Sequence, residues 1–175
     1  MPRVTALYIA PTAGAPMQAV AHVDAVAGQG LVGDRYFAGV GSFSRWPGSH
    51  REVSVIAEED LEAMAELGVP LTAAQSRRNI VVRGIHLLDG LKQPLFIGGV
   101  ELMVMRKCQP CKYLARLTGH ADLIPAMINR GGIRARIVTS GVIRVGDAVR
   151  WAPRVSEDGL LPNNKGGNSK GGPPR

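Results

Sequence analysis

Residues 95–119, "LFIGGVELMVMRKCQPCKYLARLTG", decide the fold. Two apolar, β-rich runs flank the pair Gly98-Gly99. A glycine pair between such runs marks a tight hairpin, because glycine adopts positive φ without steric cost. The second run ends in Arg106 and Lys107, and the character of the chain then changes. Pro110 suits the first turn of a helix, where its missing N–H is not needed. "CKYLARLTG" continues with helical spacing, with Tyr113, Leu114 and Leu117 as candidate buried positions and Gly119 as the stop. This reading places Cys111 in the first helical turn.

The rest of the chain adds further short strands and helices, with no internal repeat. "RVTALYIA" (3–10) is an apolar run closed by the turn signal "PTAGAP". "MQAVAHVDAVAGQGLVGDRY" (17–36) alternates around Val20 and His22 and is then punctuated by Gly28, Gly30 and Gly33. Residues 38–50 are expected to form a long irregular loop, of the kind that carries function. "REVSVIA" (51–57) is a strand. Residues 57–70 are a helix, with Glu58, Glu59 and Asp60 in its first turn, Leu61, Met64 and Leu67 as its apolar stripe, and Gly68 and Pro70 at its end. "NIVV" (79–82) is a strand, and "ADLIPAMINRGG" (121–132) is a short helix closed by glycine. "IRARIVTSGVIRVGDAVRW" (133–151) is expected to be a second hairpin, turned at Gly141. Many short strands with two or three short helices predict a mainly β domain, and a barrel rather than an open sheet. The domain spans residues 1–152. Residues 153–175, rich in Gly, Pro and Asn, are expected to be a flexible tail.

Composition narrows the function. The 175 residues are 45% hydrophobic and 20% charged, as in a soluble globular domain large enough to need no disulfide or metal staple. The formal net charge is +7, of which the tail supplies +2 and the domain +5. A basic domain attracts nucleic acid, a membrane surface or a small phosphate-bearing ligand, or is simply well solvated. Aromatic residues are only 5%, which argues against base-stacking platforms, and no nucleic-acid motif accompanies the charge. The N-terminal segment lacks a signal-peptide pattern, and no apolar run is long enough for a membrane span. Cytoplasmic residence without membrane association is the expectation, since the two cysteines need a reducing compartment to stay thiols.

Those two cysteines, Cys108 and Cys111, sit together among Arg106, Lys107, Lys112 and Arg116. A helix start and nearby cations favour the thiolate, the form that attacks, carries sulfur or ligates a soft metal. Cys111 is therefore the candidate nucleophile and metal ligand, and Cys108 the candidate partner thiol. Structural zinc needs four ligands, and neither His50 nor His120 stands at a ligand spacing from the cysteines. The C-x-x-C spacing also occurs in thioredoxin-type redox sites, but there it follows a strand of a parallel α/β unit, and here the surroundings read as antiparallel hairpins.

Four segments carry a resemblance. "GLVGDRY" (30–36), "RRNIVVRGIHLLDGL" (77–91), "LFIGGVELMVMRKCQPCKYL" (95–114) and "RGGIRARIVTSGVIRVGDAV" (130–149) come in the order and spacing of the MOSC domain. This domain ends molybdenum-cofactor sulfurases and also occurs as stand-alone bacterial proteins, the type this chain resembles. The resemblance covers roughly residues 4–151 and implies a β-barrel with a few helices. It also implies a cysteine that binds the molybdenum of a pterin cofactor or carries sulfur as a persulfide, and an association of the family with pyridoxal phosphate. Pro110, Cys111 and Leu114 match a Pro-Cys-x-x-Leu element of stand-alone relatives. In cofactor-binding relatives the cysteine directly follows an arginine; here Arg106 and then Lys107 precede Cys108, which keeps Cys108 as the other candidate.

Arg78 and Asn79 match the family's Arg-Asn element, and arginine presents a fork of donors to an oxyanion. Arg35, Arg134, Arg136 and His50 are further candidates for holding the cofactor, against the alternative of solvated faces and structural ion pairs. The resemblance implies two branches. In one, the thiolate ligates molybdenum and the site reduces N-hydroxylated compounds with electrons from a partner protein, since the sequence shows no flavin, haem or iron–sulfur motif. In the other, the thiolate accepts sulfur from a cysteine desulfurase. The reading from another class is a non-catalytic thiol/disulfide sensor that uses the Cys108/Cys111 pair.

Overall fold

A computed structural model describes residues 1–42, 44 and 50–153 of the chain. The expected tail therefore lies outside the described residues apart from Pro153, as does part of the 38–50 loop. The elements run β1 (Arg3–Ile9), β2 (Gln18–Val20), β3 (His22–Val26), β4 (Gly30–Leu31), β5 (Val53–Ala57), α1 (Glu58–Glu66), α2 (Ala73–Ser76) and β6 (Ile80–Arg83). They continue with β7 (Pro94–Ile97), β8 (Val100–Lys107), α3 (Lys112–Thr118), α4 (Leu123–Met127), β9 (Ile133–Ile137), β10 (Gly141–Arg144) and β11 (Val149–Trp151).

The expected β7–β8 hairpin forms with Ile97 opposite Val100 and Gly98 at φ +55°. It sits inside an eight-stranded sheet in the order β11-β7-β8-β9-β5-β6-β1-β2, with a three-stranded sheet β10-β3-β4 beside it. The large sheet curls into a half-barrel. At one end its edges meet: Val4 N–H donates to Asp147 O at 2.9 Å, Gly146 N–H to Val4 O at 2.9 Å, and Val149 N–H to Pro2 O at 3.0 Å.

Strands β5 and β6 pair in parallel and are joined by a connection that contains α1 and α2. A parallel pair needs such a crossover and is buried on both faces. This explains the unbroken apolar runs "VSVIA" and "IVV". Val55, Ile80 and Val82 face the core inside the curl, together with Leu102, Val104 and Ile133. Ile56 and Val81 face outward into a second apolar layer built by Leu61, Met64, Leu114, Leu123 and Met127. The two layers fix α1, α3 and α4 on the outer face of the sheet.

Three local expectations are corrected. β10 does not pair back on β9. It joins β3, with Val142 opposite Asp24, so the turn before Gly141 carries the chain to the other sheet. Leu67 is the C-cap beyond the last residue of α1 and is 58% exposed, and Leu117, within α3, is on its outer side and 46% exposed. Cys111 is the N-cap of α3, extended at φ −141° and ψ 155°, rather than a residue of its first turn.

Candidate active site

Strands β8 and β9 supply the floor of the site. Their register runs Val104 opposite Ala135, then Arg106 opposite Arg134, so Met105 is an extra residue. Such a bulge re-aims the side chains that follow it. Here it sets two arginines side by side where regular pairing would oppose Met105 to Arg134. β8 then ends, and the chain passes through buried Cys108 to half-buried Cys111.

A second wall comes from the turn between α2 and β6. Thr72 and Gln75 form a capping box, with Gln75 N–H donating to Thr72 Oγ1 at 3.2 Å and Thr72 N–H to Gln75 Oε1 at 2.9 Å. The short helix then stops at Arg77, held at φ +59° and ψ +26°. For a non-glycine residue this left-handed conformation costs roughly 1–2 kcal/mol. It turns the chain so that Arg77, Arg78 and Asn79 leave in different directions. Arg77 donates to Ala15 O at 2.7 Å. Arg78 is buried and donates from Nε to Gly131 O at 2.8 Å and from Nη1 to Ser76 O at 2.9 Å. Asn79 braces the scaffold: Oδ1 accepts from Ser54 Oγ at 2.9 Å, and Nδ2 donates to Tyr8 O at 3.2 Å and to Asp34 Oδ1 at 3.1 Å.

The third wall is the Asp34–Tyr36 turn. Arg35 Nη1 pairs with Asp34 Oδ1 at 3.0 Å. The same carboxylate accepts from Ala10 N–H and Tyr36 N–H, both at 3.1 Å. The Tyr36 ring lies between cations, with the Arg35 guanidinium 4.9 Å and the Arg134 guanidinium 5.7 Å from its centroid.

These walls enclose a cavity of about 280 Å³. Six guanidiniums line it, from Arg35, Arg51, Arg77, Arg78, Arg106 and Arg134, together with Cys111 and the phenols of Tyr36 and Tyr113. Among the described residues no carboxylate lines it, and Asp34, outside the lining, forms its ion pair with Arg35. The crowding leaves its mark on the groups themselves. Burial holds Arg78 below the ordinary arginine range, with Cys108 opposing that shift and Arg134 adding to it. Burial and the neighbouring Arg35 lower Arg77 in the same way. Burial also acts against Arg134, but Cys108 and Tyr36, within its hydrogen-bonding reach, outweigh it and leave the group above its ordinary value. Cations collected in a partly buried cavity are costly unless an anion joins them, so the arrangement suits an anionic ligand with a soft nucleophile at its edge.

Of the candidates read from sequence, Arg35, Arg78, Arg134 and Cys111 converge on this cavity. Asn79 stands behind it, and Cys108 is 3% exposed beneath it, its N–H donating to Gly132 O at 2.8 Å. Arg136 points elsewhere, 54% exposed, with Nε 3.6 Å from Glu52. His50 is half-buried at φ +25° and precedes Arg51 outside the lining. The sequence reading missed Arg51, Arg77 and Tyr36. The T-x-x-Q capping box ahead of Arg77 was a usable signal, and Tyr36 adjoined a chosen arginine, but nothing local marked Arg51.

The family profile of the MOSC domain matches residues 38–150. No curated protein matches the chain by sequence. Among solved structures, the YuaD protein of Bacillus subtilis is 21% identical with a TM-score of 0.69, over 85% of this chain and 94% of that one. YiiM from Geobacillus stearothermophilus is 19% identical with a TM-score of 0.66, over 88% and 76%. YiiM from Escherichia coli is 16% identical with a TM-score of 0.64, over 89% and 72%. At these identities the likeness is one of fold. Among the described residues, no helix is long and apolar enough to cross a membrane.

Proposed function

Since the chain belongs to the MOSC domain family, we propose that its arginine-lined cavity holds a molybdenum–pterin cofactor by its phosphate, with Cys111 as the thiolate that meets the metal or carries sulfur for it. One observation carries this reading: six guanidiniums and an accessible thiol share a cavity with no carboxylate among its described lining residues.

The donor set fits the group. Guanidinium forks match phosphate oxygens in geometry and charge, and a thiolate is a soft ligand suited to such a metal. Among the described residues no group of three or more His, Cys, Asp and Glu side chains converges. A metal at Cys111 would therefore take its remaining ligands from the cofactor. When bound, the cofactor supplies redox chemistry for reducing an N-hydroxylated compound with electrons from a partner protein. Arg78 and Arg134 are fixed by the scaffold and orient the anion, while Arg106 at the rim attracts it. Tyr36 and Tyr113 complete the lining beside the arginines. In the sulfur branch, the Cys111 thiolate attacks the terminal sulfur of a desulfurase persulfide, forms a new S–S bond and releases the donor thiolate.

The test is elemental analysis for molybdenum with intact-mass measurement on protein from cells that make the cofactor, for wild type, Cys111→Ser and Cys108→Ser. Molybdenum lost only in Cys111→Ser supports the metal branch. A single extra sulfur on Cys111 without metal supports the carrier branch. A Cys108–Cys111 disulfide with neither metal nor sulfur overturns both and makes the pair a thiol sensor.

A further inference from the structure

A second cavity, of about 260 Å³, adjoins the first. Its walls are mostly apolar and come from residues 14–17, from α2 and from the last turn of α3. Three contacts tie the two cavities together. Arg77 lines both. Met17, in the second, accepts from Arg35 Nη1, in the first, at 3.4 Å through its sulfur. Tyr113 and Leu117 lie one turn apart on α3, and Tyr113 lines the first cavity while Leu117 lines the second. Leu117 is left 46% exposed there.

Gly14 lines the second cavity and Tyr113 the first, and a Cβ on Gly14 would come within 3.3 Å of the Tyr113 hydroxyl. An apolar recess whose one charged residue among the described lining is an arginine shared with the anion site matches one kind of occupant. That occupant has an apolar ring bearing an acidic or anionic group.

We propose that this second cavity is the substrate subsite, that it takes the aromatic or aliphatic ring of a small organic acid, and that Arg77 binds the acid group between the ring and the first cavity. The inference rests on the preceding reading only in placing the reacting centre at Cys111.

The probe is 1-naphthoate, followed by methyl NMR and titration, with inorganic phosphate as the ligand for the arginine cavity. In wild type, 1-naphthoate is expected to shift the methyls of Met17 and Leu117. Arg77→Gln is expected to weaken it about tenfold, the scale of one lost charged contact. Ala74→Trp, which fills the recess, should weaken it by at least about tenfold while changing phosphate affinity less than about twofold, because the remaining arginines are untouched. Arg106→Ala should weaken phosphate and leave 1-naphthoate unchanged. Shifts confined to the arginine cavity, or binding indifferent to Ala74→Trp, overturn the proposal. Protein that never carries molybdenum or sulfur yet binds 1-naphthoate with these sensitivities removes the cofactor reading and leaves the subsite standing.

Discussion

Arg106 stands directly opposite Arg134 on neighbouring strands, and the extra residue Met105 puts it there. Like charges facing across a strand pair are destabilising by about 0.2–1 kcal/mol, so the register works against the fold and for the cavity. The two residues differ in setting: Arg134 reaches Cys108 and Tyr36, whereas Arg106 is exposed at the rim. Arg106→Ser is therefore expected to raise stability, by up to about 0.5 kcal/mol in urea unfolding at low salt, the exposed end of that range. The same variant should lose affinity for inorganic phosphate. A variant that loses stability would show that Arg106 holds the strands together and was not placed for a ligand.

Asp34 is the counterweight of the site. Its carboxylate holds Arg35 and accepts from the N–H groups of Ala10 and Tyr36 and from Asn79 Nδ2. Asp34→Ala would leave the Arg35 guanidinium buried without its partner, a loss of about 3–5 kcal/mol. Asp34→Ala combined with Arg35→Met should recover part of that loss in chemical denaturation, because the stranded charge is gone. A double variant no more stable than the single one would assign the cost to the backbone hydrogen bonds alone.

The parts of this arrangement that were legible in the sequence are the local ones. Gly98-Gly99 specified the β7–β8 hairpin because a tight turn needs residues tolerant of positive φ. The acidic start of α1 and the apolar spacing of Leu61 and Met64 marked that helix. The turn before Gly141 was legible too, but a turn signal does not say which strand the next segment will join, and β10 went to β3. The parallel β5–β6 pair was hidden for the same reason, since its partners are separated by α1 and α2. The ring of arginines is the extreme case. Arg35, Arg51, Arg77 and Arg134 lie far apart in the chain and meet only because the sheet curls, while Arg136, two residues from Arg134, points away to Glu52.

Gly131 and Gly132 join the two halves of the site, for the Gly131 carbonyl holds Arg78 and the Gly132 carbonyl holds Cys108. A Cβ on Gly132, at φ +76°, would run into the Val55 carbonyl oxygen, which belongs to the sheet and has no room to move. Gly132→Ala is expected to cost about 3 kcal/mol or more, overpacking added to the left-handed conformation. Gly119, at φ +73° beyond the end of α3, has open space where its Cβ would sit. Gly119→Ala should therefore cost only the conformational part, about 1–2 kcal/mol. Thermal unfolding of the pair separates the two contributions, and equal losses would show that the contact with Val55 relaxes.

The two cysteines offer the most direct reading of the site, because they differ in access and not in sequence context. Cys108 is 3% exposed, lies beneath the cavity and is bonded through its N–H to Gly132. Cys111 is half-buried and opens into the cavity beside Arg78 and Arg106. A reagent must reach the sulfur before a thiolate can attack it. Iodoacetamide should therefore modify Cys111 first and Cys108 more than about tenfold more slowly, as protection by native structure requires. Inorganic phosphate in the arginine cavity should slow the first reaction by covering the sulfur. Peptide mapping after brief alkylation, with and without phosphate, checks both points. Modification of Cys108 ahead of Cys111 would move the working thiol to the end of β8, and Arg134 would become its principal partner.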